Sequence, residues 1–286
     1  MAAGGTAARP YRRIATEEAW ISAELLALYQ RMLKEGSAGH PCFDSLWRRY
    51  GLGVSERCIA VRERMLDLGA RRIGDMDAAG IDVQILLLTT PGVQLLDAET
   101  AIALAAVSND QVGQAVKAHP DRFAALAAIA PQAPQAAAKE PERAVTRLKL
   151  KGAVINSHRR GEYLDDRKFW PIFEAAEALH VPIYIHPNTP PPDMIGPLLA
   201  RGLDGAIYGF AVECGMHLLT IMASGILDRF PKLRMVFGHG ADRVLSAMDY
   251  PYQYVPQEVA AMERMPLSDQ DKKAFFQSNA ESVFKL

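Results

Sequence analysis

A chain of 286 residues, 49% hydrophobic and 23% charged, has the composition of an ordinary folded protein and is long enough for one large core or two modest ones. Its 32 Lys+Arg against 33 Asp+Glu leave a formal charge of -1 with no block of like charges, which gives no support to nucleic-acid binding or a membrane-surface role. Cys42, Cys58 and Cys214 form no Cys-x-x-Cys pair and read as reduced thiols of a cytoplasmic protein, and the most apolar stretch, 211–230, is broken by Glu213, His217 and Asp228 before it could span a membrane.

In chain order, residues 1–11 carry small residues and arginines without an apolar run and are expected to be a disordered tail. Short runs rich in β-branched and aliphatic residues then predict strands at 12–19, 82–89, 123–130, 151–157, 181–187, 234–239 and 244–249. Between them lie helical periodicities. Residues 98–119 place Ile102, Ala105, Ala106 and Val112 on one stripe, and 167–180 do the same with Phe169, Ile172, Phe173 and Ala176. Strands apolar on both faces, alternating with helices, predict βαβ units and a parallel sheet covered on both sides, in a single domain over 1–286.

Seven strands are one short of a closed eight-stranded barrel. Only four residues separate His239 from Val244, whereas parallel neighbours need a crossover of roughly a dozen. Five Cα steps reach ~18 Å at most, less than the length of the strand they would have to retrace. Either the chain turns back antiparallel here, or a helix–strand–helix segment is missing after Gly240.

In a parallel barrel, functional groups sit at the carboxyl ends of the strands. Those ends read Thr16-Glu17-Glu18, Thr89-Thr90-Pro91-Gly92, Asn156-Ser157-His158, His186-Pro187-Asn188, Gly238-His239 and Met248-Asp249-Tyr250. Glu, His, His and Asp at four of them form the pattern of a divalent-metal site spread across a barrel. By the two-residue strand period, only one of Glu17 and Glu18 can face the interior. His40, His119, His180 and His217 fall away from those ends and read as structural. There is no glycine-rich nucleotide motif and no Gly-x-Ser-x-Gly elbow.

With these motifs in order, Glu17-Glu18-Ala19, Tyr184-Ile185-His186-Pro187, Phe237-Gly238-His239 and Met248-Asp249-Tyr250-Pro251, the sequence resembles the aromatic-acid decarboxylase branch of the amidohydrolase superfamily. The resemblance runs over nearly the whole chain. It implies a (β/α)8 TIM-type barrel with one divalent cation, Mn²⁺ or Zn²⁺, held by Glu17, His186 and Asp249. It also implies Asp249 as proton donor, His239 facing the substrate, and Arg57, Thr89 and His158 as substrate contacts. The implied substrate is a small aromatic acid with an ortho-hydroxyl or methoxyl group, such as 5-carboxyvanillate, and the implied reaction is loss of CO₂. Relatives continue past the strand-six His with Met-Gly-Glu, where this chain has Gly240-Ala241-Asp242, so helix six, strand seven and helix seven lack counterparts. Two other readings stand beside this one: a metal-dependent hydrolase of the same superfamily, or an inactive barrel if the gap is genuine. The stiff Pro190-Pro191-Pro192 loop and the apolar Ile207, Phe210, Val212, Met216 and Leu219 predict self-association as a dimer or tetramer.

Overall fold

The computed structural model describes residues 10–239, 249–252 and 254–286. Seven parallel strands line one curved wall: β1 (Ile14–Trp20), β2 (Val83–Leu88), β3 (Phe123–Ala125), β4 (Ala127–Ala128), β5 (Ala153–Ile155), β6 (Pro182–Ile185) and β7 (Arg234–Phe237). They form two sheets, β1-β2-β3 and β4-β5-β6-β7. The wall is nevertheless continuous, since the Lys151 amide donates to the Ala125 carbonyl (2.8 Å) and Ala127 to Gly152 (2.8 Å), so β3 and β4 are two halves of one strand position.

Helices follow the strands in the alternation expected. β1 leads into α1 (Ala23–Glu35), α2 (Pro41–Leu52), α3 (Glu56–Leu66) and α4 (Ala70–Ala79); β2 into α5 (Ala98–Ala118); β4 into α6 (Pro134–Leu148); and β5 into α7 (Trp170–Leu179). α8 (Pro192–Leu199), α9 (Gly209–Ala223) and α10 (Ile226–Arg229) separate β6 from β7, and α11 (Pro256–Glu263), α12 (Asp269–Lys273) and α13 (Asn279–Phe284) end the chain. This is an α/β fold of the (β/α)8 barrel kind, in which every observed strand pairing is parallel.

Alternate strand residues divide the core. Val83, Ile85 and Leu87 of β2 join Ile14, Ala124, Leu126, Val154 and Tyr184 inside the wall, where Ala280 and Phe284 of α13 complete the cluster. Leu86 and Leu88 face outward onto the helices of the first half. Arg234 donates to the carbonyls of Ser282 and Val283, and Lys151 to that of Lys285, so α13 covers the amino-terminal end of the wall and leaves the carboxyl end for chemistry.

Three expectations need adjusting. Strand 123–130 ends early, at Ala128, where Asn109 of α5 takes both backbone groups, accepting from the N–H (2.7 Å) and donating to the carbonyl (2.9 Å). That contact needs a close approach, so the buried stripe of α5 is the small set Ala101, Ala105, Ser108 and Val112, and Ile102 is turned outward, 40% exposed. Phe210 of the proposed surface patch is buried, while Ile207, Met216 and Leu219 are exposed.

Of the expected tail, residues 1–9 lie outside the described residues, but Tyr11 is packed, stacking on Phe276 and donating to Glu263 (2.6 Å). The strand expected at 244–249, apart from Asp249, and the stretch following Gly240 also lie outside the described residues. The chain on the far side of that stretch is anchored nonetheless, because the Ala19 amide donates to the Tyr250 carbonyl at 2.7 Å on the side of β1 opposite β2. Among the described residues no helix is long and apolar enough to cross a membrane.

Candidate metal centre

β1 pairs with β2 in one register up to Ala15 and in another from Glu18, so Thr16 and Glu17 bulge against the partner strand. Such a bulge re-aims side chains next to a site. Glu17 turns into the barrel mouth, whereas Glu18 turns out and accepts from the Gln84 amide at 3.1 Å, itself held by Arg72 (3.2 Å). Glu17 also depends on its neighbour in β7's extension: a Cβ at position 238 would stand 2.1 Å from Glu17 Oε1, so any larger residue there would displace that carboxylate.

Two ladder bonds carry the other groups to the same place. The His186 amide donates to Ile155 (2.9 Å) and the Gly238 amide to Ile185 (3.0 Å), extending β6 and β7 past their ends. His186 Nε2 then stands 3.6 Å and His239 Nε2 3.7 Å from Glu17 Oε1. All three donor atoms lie within 4.8 Å of one another. Adjacent donors around a cation with ~2.0–2.2 Å bonds are separated by roughly 3–3.5 Å, so the cluster fits one divalent ion with little contraction.

The tautomers agree. His186 Nδ1 lies 2.7 Å from the Pro187 carbonyl, which can only accept, so Nδ1 carries the proton and Nε2 keeps its lone pair. Burial holds both imidazoles in the neutral form that a ligand requires, lowering His186 to about 3, with help from His239, and His239 to about 4. Ser157, His239 and Asp249 all have left-handed backbones (φ 49°, 52° and 52°), a strained conformation for a side-chain-bearing residue that recurs at functional sites.

Asp249 falls outside this trio but lines the same cavity, of about 520 Å³, together with His186, Arg49, Arg57, Tyr50, Thr90, Phe210 and Tyr252. Its segment is braced from behind: the Tyr250 hydroxyl donates to Asp75 (2.9 Å), and the Arg72 guanidinium lies 4.5 Å beneath the Tyr250 ring. Arg57 reaches the cavity from the start of α3 and donates to the Tyr252 carbonyl at 3.2 Å.

Thr89 and His158 stand one layer back. Thr89 bonds the Tyr252 hydroxyl (2.7 Å). His158 has both nitrogens engaged, with the Thr189 carbonyl at 2.9 Å and the Gly161 amide at 3.0 Å. Behind His186 lies a second set of polar groups that motif reading passes over, Ser157 with Glu213 and His217 of α9, all buried. The available signal was the i, i+4 spacing of Glu213 and His217 on the same buried helix face as Phe210, Cys214 and Ile221.

Comparison with known proteins agrees with this geometry. The Amidohydrolase family model matches residues 61–243, and the chain belongs to that family. The structure superimposes with a TM-score of 0.93 on 5-carboxyvanillate decarboxylase from Novosphingobium aromaticivorans, solved with manganese and 3-methoxy-4-hydroxy-5-nitrobenzoic acid; the two are 41% identical, covering 97% of this chain and 98% of that one. The 5-carboxyvanillate decarboxylase of Sphingomonas paucimobilis matches with a TM-score of 0.87 and 30% identity over 96% of this chain and 99% of that one. The gamma-resorcylate decarboxylase of Polaromonas sp. is 28% identical over 79% of this chain and 90% of its own length.

Proposed function

We propose that the chain is a metal-dependent, non-oxidative decarboxylase of a small aromatic acid bearing an ortho-hydroxyl or methoxyl group, such as 5-carboxyvanillate. The observation that carries this reading is the buried Glu17–His186–His239 cluster opening into a cavity that also holds Asp249 and two arginines. Glu17 and His186 of that cluster would hold the ion together with Asp249 from the cavity wall, leaving His239 beside it on the substrate side, and Mn²⁺ is the metal that two of the similar solved decarboxylases contain. A divalent ion held there would supply Lewis-acid stabilisation of the negative charge on the bound acid.

The reaction adds a proton to the ring carbon that bears the carboxylate. The C–C bond to that carboxylate then breaks, its electron pair returns to the ring, and CO₂ leaves. Asp249 is the proton donor in this reading. A carboxyl there is kept neutral by the negative charges of Glu17 and of the substrate crowding the same desolvated space. His239 meets the phenolic oxygen, Arg57 pairs with a substrate carboxylate at the mouth, and Thr89 and His158 contribute through the residues they hold, Tyr252 and Thr189.

The exposed Ile207, Met216, Leu219 and Met222 make self-association part of the proposal, and the buried thiols of Cys58 and Cys214 accord with a cytoplasmic setting. Incubating the Mn²⁺-loaded protein with a panel of ortho-hydroxybenzoates and measuring CO₂ tests it. Release from at least one acid, abolished by metal removal, is expected. Turnover of lactones or amides in place of every acid would assign the chain to hydrolysis instead.

A further inference from the structure

The buried polar set behind the metal cluster has its hydrogen-bond directions settled by one backbone amide. Leu164 N–H donates to His217 Nε2 at 3.2 Å, so the proton of this neutral imidazole is on Nδ1. Nδ1–H donates to Ser157 Oγ at 2.7 Å, which leaves the Ser157 hydroxyl to donate to Glu213 Oε1. The other carboxylate oxygen, Oε2, accepts from the Asn188 amide at 3.3 Å. Every bond in the chain points at Glu213.

The peptide that Glu213 touches matters most. The N–H of Asn188 and the carbonyl of Pro187 belong to one planar peptide unit, and in a trans peptide they point in opposite directions. That carbonyl is the one that accepts His186 Nδ1–H at 2.7 Å. Glu213, the 187–188 peptide and the imidazole of His186 therefore form one relay, carboxylate to N–H, C=O to N–H, ending at the Nε2 lone pair aimed at Glu17. Metal-bound histidines commonly give their second N–H to a carboxylate or a carbonyl, which fixes the ring and raises its basicity. Here a carbonyl does so with a carboxylate behind it, polarising the peptide in the sense that makes its oxygen a better acceptor.

We propose that Glu213 is a positioning residue for His186, acting through the Pro187–Asn188 peptide to set the orientation and donor strength of a metal-binding imidazole, with Ser157 and His217 holding its carboxylate in place. This rests on the reading of Glu17 and His186 as metal ligands. Glu213 touches neither substrate nor ion, and α9 is thereby tied to the barrel mouth.

The test is Mn²⁺ titration of the metal-free protein, following free Mn²⁺ by electron paramagnetic resonance. Glu213→Gln keeps the volume but removes the charge of the ionised carboxylate, so the titration is run above about pH 8, the value to which burial raises Glu213, and there it should weaken Mn²⁺ binding roughly 10- to 100-fold. Because occupancy, not architecture, is what it loses, turnover at saturating Mn²⁺ should return to near the wild-type value, which a merely structural lesion would not allow. A dissociation constant within twofold of wild type overturns the proposal. If Glu213→Gln does not fold, Ser157→Ala carries the same titration: it frees one oxygen of the carboxylate, and weaker Mn²⁺ binding supports the relay while an unchanged constant overturns it. Failure of the wild-type protein to bind Mn²⁺ at all would instead sink the reading of the metal centre.

Discussion

Gly238→Ala is the smallest change that should separate metal binding from folding. The added Cβ would meet Glu17 Oε1 at 2.1 Å, Glu17 Cδ at 3.1 Å and the Pro187 ring at 3.2 Å. Ordinary carbon–oxygen contact is ~3.3 Å, so Glu17 must retreat by roughly 1 Å, and it is 3% exposed with β2 behind it. Overpacking of this kind costs about 1–3 kcal/mol, or a few degrees in Tm for a chain of this size. A metal site, by contrast, tolerates displacements of about 0.2 Å. The loss should therefore fall on affinity, with Mn²⁺ binding weakened at least ~10-fold while most of the metal-free stability survives. Differential scanning calorimetry with and without Mn²⁺ measures both. Gly215→Ala in α9, where nothing lies within 4 Å of the new Cβ, is the control and should be neutral or stabilising by up to ~1 kcal/mol. Wild-type Mn²⁺ affinity in Gly238→Ala would refute the placement of Glu17 at the ion.

Asp249→Asn keeps one coordinating oxygen but cannot deliver a proton, so it should retain some metal and lose roughly 10² to 10⁴ in rate, whereas Glu17→Gln should act through metal affinity and be partly rescued by excess Mn²⁺. Wild-type decarboxylation by metal-loaded Asp249→Asn would remove Asp249 as the acid and make His239 the next candidate. Burial lowers His158 and His239 to about 4 and His186 and His217 to about 3, and lowers His40 as well, all below the ordinary 6.5, so between these values the unfolded chain binds more protons than the metal-free native one. Stability of the metal-free protein should accordingly fall as pH drops below about 6.5, by up to ~1.4 kcal/mol per pH unit for each group. Glu213, which burial raises to about 8, contributes with the opposite sign, its share being present at low pH and lost as pH rises through that value. Urea midpoints at pH 7 and pH 5 that coincide would contradict the balance of these buried histidines against one carboxyl. Leu219→Asp, at a side chain 62% exposed on α9, should leave secondary structure unchanged and shift light-scattering mass toward the monomer; a wild-type protein that is already monomeric ends that proposal.

What the sequence determined by itself about this protein is the set of local periodicities. Six of the expected strands appear within a few residues of their bounds, because a strand covered on both faces is an apolar run that needs no partner to be recognised. The period of two also separates Glu17 from Glu18, which point to opposite sides of β1. What tertiary structure decided is everything that depends on one element's displacement relative to another. Residues 17, 186 and 239 meet only because β1 bulges and because β6 and β7 extend past their ends in matching register, so His239 joins Glu17 and His186 while Asp249 stands on the cavity wall. The contact of Asn109 with Ala128 at the end of the third strand position, the outward turn of Ile102 and the tie from Glu213 to His186 are likewise contacts between elements. Periodicity states which face of an element is buried; it carries no term for the rotation and sliding that bring two faces together, and those are set by packing of the whole core.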